Sequence, residues 1–400
     1  MPNLAARIRR IKPSPSSMAG QRARELRETG RDIVGLTSGE PDFDTPANVT
    51  EAVIRAMAAS KTKYTDVGGT PDLKLAIRDK FLRDNGLDYK PSELIVGTGA
   101  KQIIFNALMC TVEAGDEVIV PSPYWVSYPD IVLLAGGTPV IVPCPAGCGF
   151  KLQPEDLDRA ITPRTKWVIL NAPNNPSGAI YTREEMRALA DVLMRHPHVW
   201  VLSDDIYEHL IFDGREFCTP AQVEPALKNR TLTLNGVSKA YAMTGWRIGY
   251  AGAPAGLVKA MVKLQSQSTS NPSSISQAAA MEALNGPQDF MAPRRAIFQE
   301  RRDKVVGWLN DIPGIRCHRP EGAFYAFPSC AALLGKKTPD GKVLETDEDF
   351  ILYLLDAVNV AVLHGAAYGV SPFFRISYAT SIEVLDEGCQ RLRRACEMLV

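Results

Sequence analysis

The sequence predicts an α/β fold with a mostly parallel seven-stranded sheet in a large domain, joined to a smaller α+β domain. Three observations predict it. Between about residue 60 and residue 255, short runs rich in Val, Ile and Leu alternate with helical patterns, and alternation of this kind implies a parallel sheet covered by helices. Within those runs apolar residues follow one another directly, as in strands buried on both faces. Finally, 400 residues exceed the length at which one hydrophobic core keeps growing, so two domains are expected.

Taken in order, the expected strands of the large domain are 94–96, 117–120, 138–142, 167–171, 199–203, 231–234 and 248–251. A helix is expected to begin near Ala100. Another starts where Thr182 and Glu185 form a capping box ahead of Met186, Leu189, Ala190 and Leu193. The last third changes character. A charged helix is predicted over 292–309, a short strand over 323–327, a helix over 347–358, and strands over 360–363 and 373–378. A final amphipathic helix is expected to begin at a Thr380–Glu383 capping box. The first 45 residues carry no strand–helix repeat of their own, so the expected division is 46–285 for the large domain, with 1–45 and 286–400 forming the small one.

Composition narrows the function classes. Lys plus Arg and Asp plus Glu each number 45, so no basic excess favours nucleic acid or an anionic membrane as partner. No run approaches about 18 uninterrupted apolar residues. Residues 1–24 hold Arg7, Arg9, Arg10, Lys12, Arg22 and Arg24 without an acid, a faint likeness to an organelle transit peptide that lacks the apolar core of a secretory signal. The eight cysteines are scattered, and Cys144-x3-Cys148 has no second pair nearby. They read as reduced thiols of a cytoplasmic protein, and no metal site is expected.

Four strand ends carry the chemistry, since ligands of open α/β sheets bind beyond the carboxyl ends of strands. In Leu94-Ile-Val-Gly-Thr-Gly-Ala-Lys-Gln, the amides of Gly99, Ala100 and Lys101 would point at an anion at a helix start; an ordinary strand–helix turn has the same letters. In Asn171-Ala-Pro-Asn-Asn-Pro-Ser-Gly, Asn175 offers donors in a rigid turn that is equally well structural. In Val201-Leu-Ser-Asp-Asp-Ile-Tyr, two acids after an apolar strand are costly unless partnered or exposed. Asp204 could pair with a cationic ring nitrogen, with Tyr207 facing the same ligand, or could cap a helix. The fourth, Val237-Ser-Lys-Ala-Tyr-Ala-Met-Thr-Gly-Trp-Arg-Ile-Gly, places Lys239 after Ser238 and eight residues before Arg247. Such a lysine suits a carbonyl cofactor and the arginine its phosphate, although a lysine past a strand is usually a solvated charge.

This last segment resembles the lysine signature of class I aminotransferases, which depend on pyridoxal 5'-phosphate (PLP). Gly39-Glu-Pro-Asp-Phe, Tyr64 in Lys-Tyr-Thr-Asp-Val-Gly-Gly, Pro123-Tyr-Trp, Asn175-Pro-Ser-Gly, Asp204-x-x-Tyr207 and Phe374-Arg-Ile-Ser follow in family order. Arg10-Ile-Lys-Pro-Ser is similar to the start of mature bacterial enzymes of the family, which weighs against a transit peptide. The resemblance implies PLP fold-type I and a homodimer with active sites at the subunit interface. It makes Lys239 the Schiff-base lysine and proton shuttle, although lysine amines ordinarily titrate near ~10.4. Asp204 would keep the pyridine nitrogen protonated. Tyr207 and Asn175 would hydrogen-bond the ring O3', and Trp125 would stack on the ring. Gly99, Ala100, Lys101, Ser238 and Arg247 would surround the phosphate, with Tyr64 reaching in from the neighbouring subunit. Arg375 would clamp the substrate α-carboxylate, aided by Gly39 and Asn175. One departure is Gly236, where some members carry a serine that contacts the phosphate; a modest effect is expected.

For substrate, Gly-Ala-Lys101-Gln, Pro-Tyr-Trp125-Val-Ser-Tyr and Asn235-Gly-Val-Ser-Lys resemble the bacterial aspartate aminotransferase branch called Ib. There the lysine matching Lys101 contacts the distal carboxylate of dicarboxylic substrates. The expected reaction is transamination between L-aspartate and 2-oxoglutarate, giving oxaloacetate and L-glutamate, with Lys12 serving larger diacids. The alternatives are an aminotransferase preferring prephenate, aromatic amino acids or alanine, a PLP lyase or decarboxylase, and a non-catalytic regulator on the PLP fold. The partners expected are amino acids and 2-oxo acids.

Overall fold

The computed structural model describes residues 4–13 and 15–400, without the Ser16 side chain. Residues 1–3 of the basic N-terminal stretch, and Ser14 of its Arg-Ile-Lys-Pro-Ser motif, lie outside the described residues. The chain opens with helices α1 (Ala6–Arg9) and α2 (Pro15–Glu28), strand β1 (Val34–Gly35), and helices α3 (Ala47–Ala58) and α4 (Pro71–Asn85). The α/β alternation follows: β2 (Leu94–Gly97), α5 (Ala100–Thr111), β3 (Glu117–Ser122), α6 (Ser127–Ala135), β4 (Thr138–Pro143), α7 (Pro154–Ala160), β5 (Thr165–Asn171), α8 (Arg183–Arg195), β6 (Trp200–Asp204), α9 (Pro220–Val223), β7 (Thr231–Gly236) and β8 (Gly249–Gly252). Helices α10 (Ala255–Ser266), α11 (Ser274–Asn285) and α12 (Met291–Asn310) lead to β9 (Tyr325–Ala326), α13 (Asp347–Val358), β10 (Val360–Ala361), β11 (Leu363–His364), β12 (Phe374–Ser377) and α14 (Ile382–Glu397).

All seven strands expected from the apolar runs join one sheet, in the order β2-β8-β7-β6-β5-β3-β4. Strands β4, β3, β5, β6 and β7 pair in parallel, whereas β8 runs antiparallel to both β7 and β2. Every residue of β6 except Trp200, and every residue of β7, is buried, because helices cover both faces. The edge strand β4 is the exception, half-exposed and bracketed by Pro139 and Pro143, residues that blunt an edge because they cannot extend the ladder. Helix α8 starts at the expected capping box, with Thr182 accepting from the Glu185 N–H and Glu185 accepting from the Thr182 N–H.

The C-terminal third forms a second packing unit. Its three-stranded sheet β11-β12-β9 is antiparallel, and Phe298, Val305, Phe350, Phe374, Leu385 and Leu392 share one apolar cluster there. The N-terminal strand β1 pairs in parallel with β10, and Val34 and Leu36 enter the same cluster. Two expectations need correction. The predicted strand over 360–363 is two short strands in two different sheets. The last helix is capped by Ser381, whose hydroxyl accepts from the Val384 N–H, not by a Thr380–Glu383 box. Among the described residues no helix is long and apolar enough to cross a membrane, and all eight cysteines are free.

Candidate active site

Adjacent parallel strands bring the predicted groups together. Asn171 ends β5 opposite Asp204, which ends β6, and β7 beside them delivers Lys239 three residues past its last residue, Gly236. These ends floor a cavity of about 650 Å³. Of the residues singled out from the sequence, Gly39, Ala100, Lys101, Trp125, Asn175, Asp204, Tyr207, Ser238, Lys239, Arg247 and Arg375 all line it.

Lys239 donates from Nζ to the Gly39 carbonyl oxygen. Burial, with Arg375 and Arg247 nearby, pushes its ammonium down to about 8, against the opposing pull of Glu40 and Asp204. Asp204 is 5% exposed, and burial pushes its carboxyl up to about 6. Tyr128 opposes that shift by donating a 2.6 Å hydrogen bond to Oδ2. The second acid, Asp205, turns away from the cavity to accept from the Ser203 hydroxyl at 2.6 Å, and burial pushes it up to about 8. The hydroxyls of Tyr207 and Tyr325 lie 2.9 Å apart. Arg375, 2% exposed, donates from Nη1 to Asn175 Oδ1 at 3.0 Å and from Nη2 to the Thr37 carbonyl at 2.8 Å. Its Nε has no hydrogen-bond partner, and its guanidinium lies 4.3 Å from the Tyr325 ring centre.

A second group forms at the start of α5. Gly99 caps this helix at φ +83°, and a Cβ there would stand 2.3 Å from Arg247 Nη2. Across the turn, a Cβ on Gly249 would stand 2.2 Å from the Ala100 nitrogen. Arg247 itself donates from Nη1 to the Thr244 carbonyl at 3.0 Å. Lys101 Nζ lies 4.7 Å from the Trp125 ring centre with no acid paired to it among the described residues, and burial, then Arg247, lowers its pKa.

A family model described as aminotransferase class I and II matches residues 31–392. The chain belongs to this family. It is 58% identical to an aspartate/prephenate aminotransferase of Cereibacter sphaeroides over 98% of each chain. Against an aspartate aminotransferase of Rhizobium meliloti (strain 1021) it is 58% identical over 99% of this chain and 96% of the other. A crystal structure of the aspartate aminotransferase from Rhizobium meliloti superposes with a TM-score of 0.97 at 57% identity over the whole of both chains. The aspartate aminotransferase from Thermus thermophilus with maleate superposes at 0.93 and 42% identity, over 99% of this chain and all of the other.

Aminotransferases of this class depend on PLP, and the residues present fit that group. An aldehyde needs an amine that loses its proton readily, and burial, by pushing Lys239 down to about 8, favours that. A dianionic phosphate needs free amides at a helix start beside a guanidinium, and Ala100, Lys101 and Arg247 supply those. A cationic ring nitrogen needs a buried carboxylate, which Asp204 provides.

Two expectations for this aminotransferase are corrected. The Gly99 N–H donates to the Gly97 carbonyl at 2.8 Å and so is not free for an anion, and the missing side chain at Gly99 leaves room for Arg247. Lys12 does not line the cavity; its main-chain N–H meets the Asp130 carboxylate instead. A Cβ at Gly236 would meet the Ile248 carbonyl at 3.0 Å and Ile206 at 3.1 Å, a tight fit. Tyr64 is 93% exposed and lies outside its own chain's cavity.

Sequence reasoning overlooked several lining residues. Tyr128 follows Trp125 at helical spacing within an already noticed motif, and that spacing was the available signal. Asn171 anchors the turn by accepting from the Asn175 N–H at 2.9 Å and donating to the Asp204 carbonyl at 2.9 Å; its place at a strand end was legible. Nothing in the sequence marked Tyr325, Thr37 or the cavity-facing side of α2.

Proposed function

We propose that this aminotransferase moves the amino group between L-aspartate and 2-oxoglutarate, giving oxaloacetate and L-glutamate. The observation that carries the reading is a pair of cations in one cavity, Arg375 and Lys101, neither of them ion-paired among the described residues. A substrate with carboxylates at both ends satisfies both. The names of the relatives from Cereibacter and Rhizobium support it.

Bound PLP supplies an electron sink for the pair left behind when the substrate loses its α-proton. Lys239 Nζ would take that proton from Cα and hold it at the site. Asp204, kept ionised by Tyr128, would hold a proton on the ring nitrogen. Trp125 would stack on the ring, while Tyr207 and the Asn175 amide would donate to O3'. Asn175 suits this because its Oδ1 is taken by Arg375, which leaves Nδ2 to donate. Ala100, Lys101, Ser238 and Arg247 surround the phosphate, with Gly99 opening the space and Tyr64 arriving from a second subunit. Arg375 orients the α-carboxylate, and the Gly39 carbonyl steadies Lys239. The working unit is a cytoplasmic homodimer, each chain divided into residues 46–285 and a smaller domain of 1–45 with 286–400.

The cavity also extends from Lys101 to α2. That favours prephenate as a further acceptor, the second substrate named for the Cereibacter aminotransferase.

The test is an absorbance titration of the PLP-loaded protein. L-Aspartate is expected to remove the cofactor band and 2-oxoglutarate to restore it. Lys101→Met is expected to raise KM for aspartate by about tenfold to a hundredfold and to leave alanine much less affected. A band that ignores aspartate and answers to alanine or aromatic amino acids overturns the role of Lys101.

A further inference from the structure

Helix α2 turns one side to the cavity. Ser17, Gly20, Arg24 and Arg27 recur at intervals of three and four residues, so they form one helical stripe, and all four line the cavity with Lys101 and Trp125. The inward residues explain why the helix sits there. Ala19 packs on the cluster that includes Trp125, Phe327 and Tyr368, and Ala23 and Leu26 pack with Ile33 and Ala361.

The two arginines of the stripe differ. Arg27 is pinned, donating from Nε and Nη2 to the Ile33 carbonyl at 3.2 and 2.9 Å. A Cβ at Gly35 would stand 2.7 Å from that same Nη2. Arg24 has neither an ion pair nor a hydrogen bond among the described residues. The acid beside it, Glu25, is engaged by Gln21 at 2.9 Å and Arg22 at 3.8 Å. The Arg24 guanidinium folds back along the helix over Gly20, where a Cβ would lie 3.6 Å from Nη1. A Cβ at that distance would make an ordinary van der Waals contact, so the guanidinium rests on the helix at the cavity wall without strain. The lining as a whole holds six cations, Arg24, Arg27, Lys101, Lys239, Arg247 and Arg375, against Glu40 and Asp204.

We infer that Arg24 is a specificity-determining residue, the anchor for diacids whose second carboxylate lies further from the reacting carbon than that of aspartate. The inference rests on the dicarboxylate reading above. Lys101, at the start of α5, meets the carboxylate of a four-carbon diacid, and Arg24, lining the same cavity from α2, meets one set further out. A planar guanidinium free of intramolecular partners offers that carboxylate a bidentate contact without first breaking a bond.

The experiment measures binding of unreactive diacids of four, five and six carbons (succinate, glutarate and adipate) to the PLP-loaded protein by calorimetry. In Arg24→Gln the affinities for glutarate and adipate are expected to fall by about tenfold relative to that for succinate. Arg24→Lys is expected to recover part of the difference, and Lys12→Gln to leave the ratios where they are. Equal weakening of all three diacids, which a general loss of positive field would give, overturns the inference. So does an unchanged ratio, or a ratio that responds to Lys12→Gln instead. A wild-type protein that binds none of the three diacids overturns the dicarboxylate reading and this inference together, whereas normal succinate binding with an unaltered ratio overturns this inference alone.

Discussion

Tyr128 gives its phenol hydrogen to Asp204 at 2.6 Å, and the consequence is a matter of proton balance. Burial drives the Asp204 carboxyl up to about 6, and a hydrogen bond donated to the anion holds it down. In Tyr128→Phe that restraint is gone, so the carboxyl rises further and a smaller fraction is ionised at any pH below neutrality. The acidic limb of the kcat profile is expected to move to higher pH by about one unit, since one hydrogen bond is worth about that much. A limb that stays in place would show that Asp204 is not the group titrating there. Asp204 itself was legible because a carboxylate after a buried strand demands a reason. The part of Tyr128 was not legible, since it depends on where the next helix docks.

At the level of elements, the turn from β2 into α5 and the turn before β8 depend on each other. Glycines at 99 and 249 let the two backbones and the Arg247 side chain converge. A methyl group in Gly99→Ala would meet the free end of a flexible arginine, which yields at little cost to the fold. The backbone there, φ +83° and ψ 157°, is one that essentially only glycine adopts, and a side chain adds strain of about 1–3 kcal/mol. The expected outcome is a folded protein whose Kd for PLP, measured by absorbance titration of the apoprotein, is raised by about tenfold to a hundredfold. Unaltered affinity would remove Arg247 from the phosphate site. The helix and strand positions were legible because apolar runs and caps are local signals. The antiparallel direction of β8 was not, since its Gly-Tyr-Ala-Gly letters suit either direction. Thr380 and Ser381 likewise offer two neighbouring hydroxyls, and the chain's path decides that Ser381 is the one to reach the Val384 amide.

Across the whole molecule, Tyr64 is the feature that a single chain leaves unexplained, an aromatic ring 93% exposed. If it completes the site of a second subunit, two damaged chains will repair each other. Tyr64→Ala keeps its own Lys239, and Lys239→Ala keeps its own Tyr64. Refolded together in equal amounts, they are expected to regain about a quarter of wild-type activity, because half the dimers are mixed and each has one whole site. No recovery above the Tyr64→Ala protein alone would place Tyr64 outside the site. The architecture itself could be read from the chain because strands buried on both faces leave continuous apolar runs. The position of α2 could not, because its Ser-Gly-Arg-Arg stripe acquires meaning only against a sheet more than a hundred residues away.

The pairing of Asn171 with Asp204 across β5 and β6 has one more consequence. Backbone hydrogen bonds hold neighbouring strands about 4.8 Å apart whatever side chains they carry, so the spacing of the reacting groups is set by the most rigid ruler a protein possesses. The Arg24 stripe hangs on a helix tied down by a few small side chains. Chemistry and taste therefore reside in parts of different stiffness, and a lineage can retune what the enzyme accepts while its reacting groups stay where they are.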